Sequence, residues 1–550
     1  MKAPLLSLEI TRFEKTGGPL TKRVYLNPDG AIANDSSDCR MSRGMMHRQR
    51  LVDWRALAGL IEVTPRNTAY ALGAMRPGLP DSVPLVTKRD PQSAQPGFAT
   101  RTAETILYRE GRPGPVLLDH DTKGMPPDIR ARLQECGGFR GALETVCAGF
   151  AVAGYIHRRS TSAGIFNAAT GEQYGLSDGE HLYLLAHDGA DAKRFLYTLH
   201  DRCWLAGLAW YIVGKSGSLL ERSIIDRTVC APERLVFEAN PDLEPPLKQE
   251  RREAIIHDGA PLDTKTACAD LNGVEQAELQ QRKAAAANAL GKEVEAAKNA
   301  FVKEQVEKAV ERGMDRSKAQ RVAEQWGKGV LRPGVVVEFD DPELGAVSVA
   351  AIFADPDRYD GETLADPIEG VGYGRNCGIV QCHADGVHIF SFAHGGAFYK
   401  LRHDYASVEA AVLAGAKAEA VNILCRLVFR ADLDPVERKL LAKLAGKRSG
   451  AGLRTAETSL KEEDIRQKRE GAEARRKQNI AKSTKARLSP PLPDAEAGPV
   501  METWDEILRH VDVPEPPMRD AEGCPVAIQC RETAGLHELT AQGANAGEEE

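Results

Sequence analysis

Val116-Leu-Leu-Asp119-His-Asp121 sets two carboxylates one residue apart at the end of an apolar run, with Lys123 and Gly124 following directly. An extended backbone has a side-chain period of two, so Asp119 and Asp121 would share one face of a strand and His120 the other. Two carboxylates held that closely repel each other when ionised, and a divalent cation relieves the repulsion. The pattern fits an Mg²⁺ or Mn²⁺ site; it also fits a pair of solvated turn residues.

Two further stretches carry chemistry-bearing side chains. Ala209-Trp-Tyr-Ile-Val-Gly214-Lys215-Ser216 matches the outline of a phosphate-binding loop, but its interior is Trp-Tyr-Ile-Val. Such a loop needs small residues whose amides can wrap a phosphate, whereas these four favour an extended strand. Cys377, Cys382, His383, His388 and His394 lie close together in sequence and raise a zinc site. No C-x-x-C pair occurs among them, and core or turn positions explain them as well.

The elements that must position these groups follow from composition and pattern. A chain of 550 residues exceeds a single core, so several domains are expected. A net charge of -7 excludes a uniformly basic nucleic-acid binder, and any such contact must come from local basic patches. The eleven cysteines are scattered, unlike a secreted disulfide framework. Met1–Phe13 lacks the apolar core of a signal peptide, and Trp204–Val213 is too short to cross a bilayer. A soluble cytoplasmic protein with no membrane partner is expected.

In chain order, Asn27-Pro-Asp-Gly30 predicts an opening hairpin, and Arg48–Glu62 has helical periodicity ended by Thr64-Pro65. Arg40, Arg43, Arg48 and Arg50 cluster there as a solvated face or a phosphate-facing patch. Thr105–Asp121 predicts two strands joined at Gly111-Arg-Pro-Gly114; helices are expected over Pro127–Cys136, Gly141–Ala151 and Asp191–Leu208. His181 and Tyr183 share a face of the strand that follows Gly179, and Trp210–Val213 and Leu219–Ile225 read as strands around Gly214-Lys215-Ser216-Gly217. The expected fold class is mixed α+β, with a catalytic domain over 1–250 and a helical hairpin or coiled spacer over 251–330. A small α/β module over 331–403 contains Ser391-Phe-Ala-His394-Gly-Gly396, and a helical region over 404–464 follows. Residues 465–550 read as a basic segment and a largely disordered tail carrying at most one short helix.

Taken together, Asp119-x-Asp121 on a strand, the small Ser160-Thr-Ser162-Ala-Gly164 loop, Gly179-x-His181-x-Tyr183 on a strand and Asp226 after an apolar run resemble the archaeo-eukaryotic primase (primase-polymerase) superfamily. Lys215-Ser-Gly-Ser-Leu-Leu-Glu-Arg222 and Pro232-Glu-Arg-Leu-Val-Phe-Glu238 resemble primase domains of phages and mobile elements, and the module at Ser391–Gly396 is similar to one that accompanies them. The resemblance implies that Asp119, Asp121 and Asp226 ligate two Mg²⁺ or Mn²⁺ ions and that His181 contacts the phosphates of an incoming nucleotide. Lys123, Lys215, Arg222 and Arg234 are candidates for phosphate or template contacts. The implied activity is primer synthesis on single-stranded DNA from nucleoside triphosphates, with a helicase partner or a missing C-terminal helicase. The alternatives are a non-catalytic DNA-binding replication protein that keeps the fold, and a P-loop ATPase built on Lys215.

Overall fold

The structure, a computed structural model, describes residues 7–87, 90–122, 124–174, 179–250, 252–311, 313–383, 386–393, 397–487, 527–533 and 536–542. The chain is α+β and divides into two units, Met1–Glu463 and Asp464–Glu550.

In the first sheet β1 (Leu8–Lys15) lies between β2 (Gly44–Leu51) and β3 (Thr68–Ala71), with β4 (Ser82–Leu85) beyond β2. β1 and β2 pair antiparallel along their whole length, Leu8 opposite Leu51 and Lys15 opposite Gly44. That pairing overrides the helical periodicity expected over Arg48–Glu62. Arg48–Leu51 complete a strand, and only Ala56–Glu62 (α1) is helical. The arginines read as a solvated face or a phosphate-facing patch all meet carboxylates: Arg40 with Glu362 at 3.0 Å, Arg43 with Asp90 at 2.6 Å, Arg48 with Glu9, and Arg50 with Asp81 at 2.9 Å, with Arg43 and Arg50 largely in solvent. The hairpin expected at Asn27–Gly30 forms between Arg23–Leu26 and Ile32–Asp35.

The second sheet carries the candidate chemistry. It contains β5 (Gly114–His120), β6 (Tyr155–Arg159) and β7 (Glu180–Ala186), with helices α2 (Pro127–Glu135) and α3 (Gly138–Val146) between β5 and β6. Helix α4 (Ala192–Leu205), the hairpin of β8 (Ala209–Val213) and β9 (Leu219–Ser223), and β10 (Ile255–His257) follow, giving the sheet order β10-β6-β7-β5. The strand pair expected within Thr105–Asp121 does not form. Ile106–Leu107 bonds to Ala74–Met75, while β5 pairs with β7. The physical reason is burial on both faces of β5: only Asp119 of its seven residues is not buried, so it requires a long partner inside the core.

The spacer consists of α5 (Gly273–Ala289), α6 (Gly291–Glu311) and α7 (Arg316–Gly327). Asn272 and Glu275 form a capping box at the start of α5, and the break falls at Gly313 with φ +87°. Phe301, Val302 and Val306 of α6 pack on Ala319 and Ala323 of α7. The module beyond has a five-stranded sheet of β11 (Val330–Leu331), β12 (Thr363–Leu364), β13 (Gly378–His383), β14 (Gly386–Ser391) and β15 (Ala397–Leu401), in the order β11-β15-β14-β13-β12. Its core holds Leu331, Val337, Ile352, Val380, Ile389 and Tyr399; His394-Gly-Gly396 lies outside the described residues. Helices α8 (Tyr405–Ala414), α9 (Ala420–Val428) and α10 (Pro435–Ser449) bury Val408, Leu424 and Leu441 in a core of their own.

Helix α11 (Gly452–Arg487) is continuous over 36 residues and carries the basic segment. Within the second unit, β16 (Ala527–Thr533) and β17 (Leu536–Gln542) pair as an antiparallel hairpin. The expected tail holds no strand there; Ile528 and Cys530 alternating with Gln529 and Arg531 is the period-two signal the hairpin follows. The remainder of the tail lies outside the described residues. No helix among the described residues is long and apolar enough to cross a membrane.

Candidate active site

β5 and β7 run antiparallel with Asp119 directly opposite His181. Cross-strand partners share a face, and His181 Nε2 lies 3.7 Å from Asp119 Oδ1. Asp121 follows the end of β5. Asp226 arrives from 107 residues beyond Asp119, after β9, and its backbone N–H donates to the carbonyl of Asp119 at 2.8 Å. The Asp226 carboxylate caps the short turn that follows, accepting from the Thr228 N–H and hydroxyl, each at 2.8 Å. Asp121 and Asp226 line one cleft with Glu221, Arg222, Ser223 and Arg227.

The electrostatics bind these acids into one group. The Asp119 carboxyl is pushed up to about 6, first by burial and then by the charges of Asp226 and Asp121, while His181 and Arg234 oppose the rise. The shift is large for a side chain that keeps 30 % of its surface open, so proximity of the other acids has to share the cause. Three mutually repelling carboxylates with oxygen donors suit a hard divalent cation, so the donor set fits Mg²⁺ or Mn²⁺. Among the described residues no three His, Cys, Asp or Glu side chains are already drawn into a coordinating cluster.

His181 is fixed from behind. Its Nδ1 pairs with Glu238, whose carboxylate also accepts from the Tyr183 hydroxyl at 2.6 Å and from Arg158, with Arg252 3.5 Å away. Glu238 is fully buried. Burial works against an imidazolium at His181, yet the Glu238 charge and hydrogen bond, with the Asp119 charge, raise its pKa overall. Burial likewise opposes ionisation of Glu238, but His181, Arg158 and Arg252 bring it down to about 2. The result is a buried, fully occupied anion that orients the histidine toward the acids.

Lys22 completes the group. Burial lowers its pKa, while Cys39, Asp119 and Asp121 act in the opposite sense. Its Nζ donates to Ser162 Oγ at 2.8 Å, which draws the small Ser160–Gly164 loop to the same place. The stretch between that loop and His181 leaves and returns at one point, since the Ser160 N–H bonds to the Gly179 carbonyl at 2.8 Å.

The remaining expected residues divide. Arg222 lines the acid cleft and donates to the Tyr373 hydroxyl at 3.4 Å, and Arg234 influences Asp119 while lying over the Phe392 ring. Lys123 lies outside the described residues. Lys215 sits in the turn between β8 and β9, where its amine donates to the Glu369 carbonyl and its N–H to the Glu369 carboxylate at 3.2 Å. That turn leads into a strand and not a helix, so the geometry of a phosphate-binding loop is missing. Gly217, at φ +79°, packs so tightly that a Cβ would stand 2.5 Å from the Val294 carbonyl. The turn is a packing contact held by α6 and the small module. Of the residues that raised a zinc site, Cys377 donates to the Arg375 carbonyl at 3.4 Å and Cys382 to the Pro356 carbonyl at 3.5 Å, and His394 lies outside the described residues.

Lys22 carries no motif in the sequence. Glu238 closes the Pro232–Glu238 stretch as an acid after the apolar run Leu235-Val-Phe, the pattern that also marks Asp119, but nothing there signals its contact with His181. No protein-family model matches this chain, and neither the curated proteins nor the solved structures give a match.

Proposed function

We propose that this chain is a metal-dependent nucleotidyltransferase that synthesises primers on a single-stranded DNA template, a DNA primase of the archaeo-eukaryotic primase (primase-polymerase) type found in phages and mobile elements. The observation that carries the proposal is the backbone bond from Asp226 to Asp119, whose carboxyl lies 3.7 Å from His181 and feels the charges of both Asp121 and Asp226. Bound Mg²⁺ or Mn²⁺ would supply activation of a 3′-hydroxyl and neutralisation of triphosphate charge during in-line displacement. Asp119, Asp121 and Asp226 would hold the metal. His181, kept in place through Nδ1 by Glu238, would present Nε2 to the phosphates of the incoming nucleoside triphosphate. Lys22, Arg222 and Arg234 add positive charge around the acids, where a triphosphate and a template strand both need it. In this reading the protein works in the cytoplasm as a replication protein alongside a helicase.

The test is primer synthesis on single-stranded DNA with labelled nucleotides and Mg²⁺ or Mn²⁺. Asp226→Asn keeps an oxygen able to cap the Thr228 turn but removes the charge, so it should abolish incorporation while the protein stays folded. Full incorporation by Asp226→Asn would refute the three-acid site. Template binding without any product in either metal would leave a non-catalytic DNA-binding protein that retains the fold.

A further inference from the structure

The five-stranded sheet of the small module has two unlike faces. Strand pairing sets Val380, Ile389 and Tyr399 in one row across β13, β14 and β15, and these residues enter the module's core. The alternate rows are Ile379–Phe390–Phe398 and Gln381–His388–Lys400, which by the period of two must lie on the opposite face. None of Ile379, Phe390 and Phe398 belongs to the core cluster, and of the polar row only His388 is buried, beneath Phe398. Phe398 is 48 % exposed and Phe392, just past the end of β14, is 38 % exposed. A half-open phenylalanine on a sheet face is costly in water unless something covers it.

The rings are already arranged as a surface. His388 lies beneath Phe398 with centroids 4.7 Å apart, and Phe392 meets Phe390 edge-on at 5.3 Å. Cross-strand support of this kind holds the Phe390 and Phe398 rings in fixed orientations. The polar partners in the same rows are an amide, an imidazole and an ammonium, and no carboxylate stands in either row. One end of the surface joins the candidate active site: the Arg234 guanidinium lies over the Phe392 ring, 6.0 Å from its centroid, and the Arg234 charge reaches Asp119.

We propose that this open sheet face is a stacking platform for the bases of single-stranded DNA, with Phe390 and Phe398 as the ring contacts and Lys400 and Arg234 as phosphate contacts. Aromatic faces interleaved with cations, in rows whose described strand residues include no acid, present what an unpaired strand needs: π-faces for its bases and positive charge for its backbone. The continuity through Phe392 and Arg234 leads such a strand to the carboxylates. The choice of single-stranded DNA as occupant rests on the primer-synthesis reading, whereas the platform itself rests on the sheet.

The test measures binding of a labelled oligothymidylate to the full chain in EDTA, where the carboxylate site holds no metal. Phe398→Ala should weaken binding roughly tenfold, the size of one lost base stack, and the loss should persist at high salt, where phosphate contacts are screened. Phe398→Trp should restore affinity, and duplex DNA affinity should not change in either variant. Bromodeoxyuridine oligomers should photocrosslink in the wild-type protein to peptides containing Phe390 or Phe398, a readout independent of any variant's folding. Unchanged affinity in a folded Phe390→Ala/Phe398→Ala protein, or crosslinks confined to other segments, would overturn the platform even if primers are made. Loss of binding on substitution in a protein that makes no primers would sustain the platform and overturn the primase reading.

Discussion

Asp119→Asn should make the metal-free protein more stable at pH 7.5. The carboxyl rises from its ordinary 3.8 to about 6 in the folded chain, through burial and through Asp226 and Asp121. At about 1.4 kcal/mol per pH unit, the ceiling on that penalty is about 3 kcal/mol. Solvent reaches 30 % of the side chain, so screening reduces it to roughly 1–2 kcal/mol. The sign follows from proton counting. Between about pH 4 and 6 the folded protein binds this proton more tightly than the unfolded chain, so stability falls as pH rises through that window, and the whole penalty is present above it. Asparagine has the same shape and no charge. Thermal melting in EDTA at pH 7.5 should therefore give Asp119→Asn a melting temperature higher by roughly 2–6 °C for a domain of this size, shrinking toward zero near pH 4. Millimolar Mg²⁺ should raise the wild-type melting temperature and leave the variant nearly unmoved. Equal melting temperatures at pH 7.5 without metal would refute the argument that these acids repel one another.

Glu238→Gln should destabilise the first unit by about 3–5 kcal/mol, because Arg158 and Arg252 would remain buried without their anion; an unchanged melting temperature would remove Glu238 from its central place. Lys215→Ala should leave any ATP turnover untouched, since its amine serves Glu369; robust ATP hydrolysis abolished by this substitution would restore the P-loop alternative. Deleting residues 465–487 should flatten the slope of log affinity for DNA against log salt, because fewer counterions are released, with little change in sequence preference; identical slopes would make the segment a linker. Arg466 and Lys468, 63 % and 74 % exposed along the side chain, stand in solvent as that contact requires.

What the sequence made legible was local. Asp119 and His181 could be placed because each sits at the end of a short apolar run that reads as a buried strand, and bringing them opposite each other needed only that the two strands pair. Asp226 could be placed as the acid ending an apolar run. The small module's strands were legible by the same alternation, but its two faces were not, since only the register decides whether Ile389 or Phe390 turns inward. The misread helix over Arg48–Glu62 shows the converse. Its periodicity is real, yet eight residues of pairing with β1 outweigh a preference worth a few tenths of a kcal/mol per residue.

The roles of Lys22 and Glu238 could not be read from the sequence, for a deeper reason. The parallel pairing of Asp242 with Arg23 joins segments more than two hundred residues apart, and an isolated bridge between Tyr70 and Val236 fixes the same crossing. Those contacts bring Lys22 to the acids on one side and Glu238 to His181 on the other, so neither residue has a neighbour in sequence that hints at its role. Lys215 failed in the opposite direction. Gly214-Lys215-Ser216 has the letters of a phosphate loop, but the flanking Trp210–Val213 and Leu219–Ser223 demand a hairpin, and the turn they leave is occupied by Glu369 and by the backbone of α6. A motif's chemistry depends on the element that follows it. Here a strand follows, and it delivers Arg222 and Asp226 to the acid cleft instead of a helix N-terminus to a phosphate.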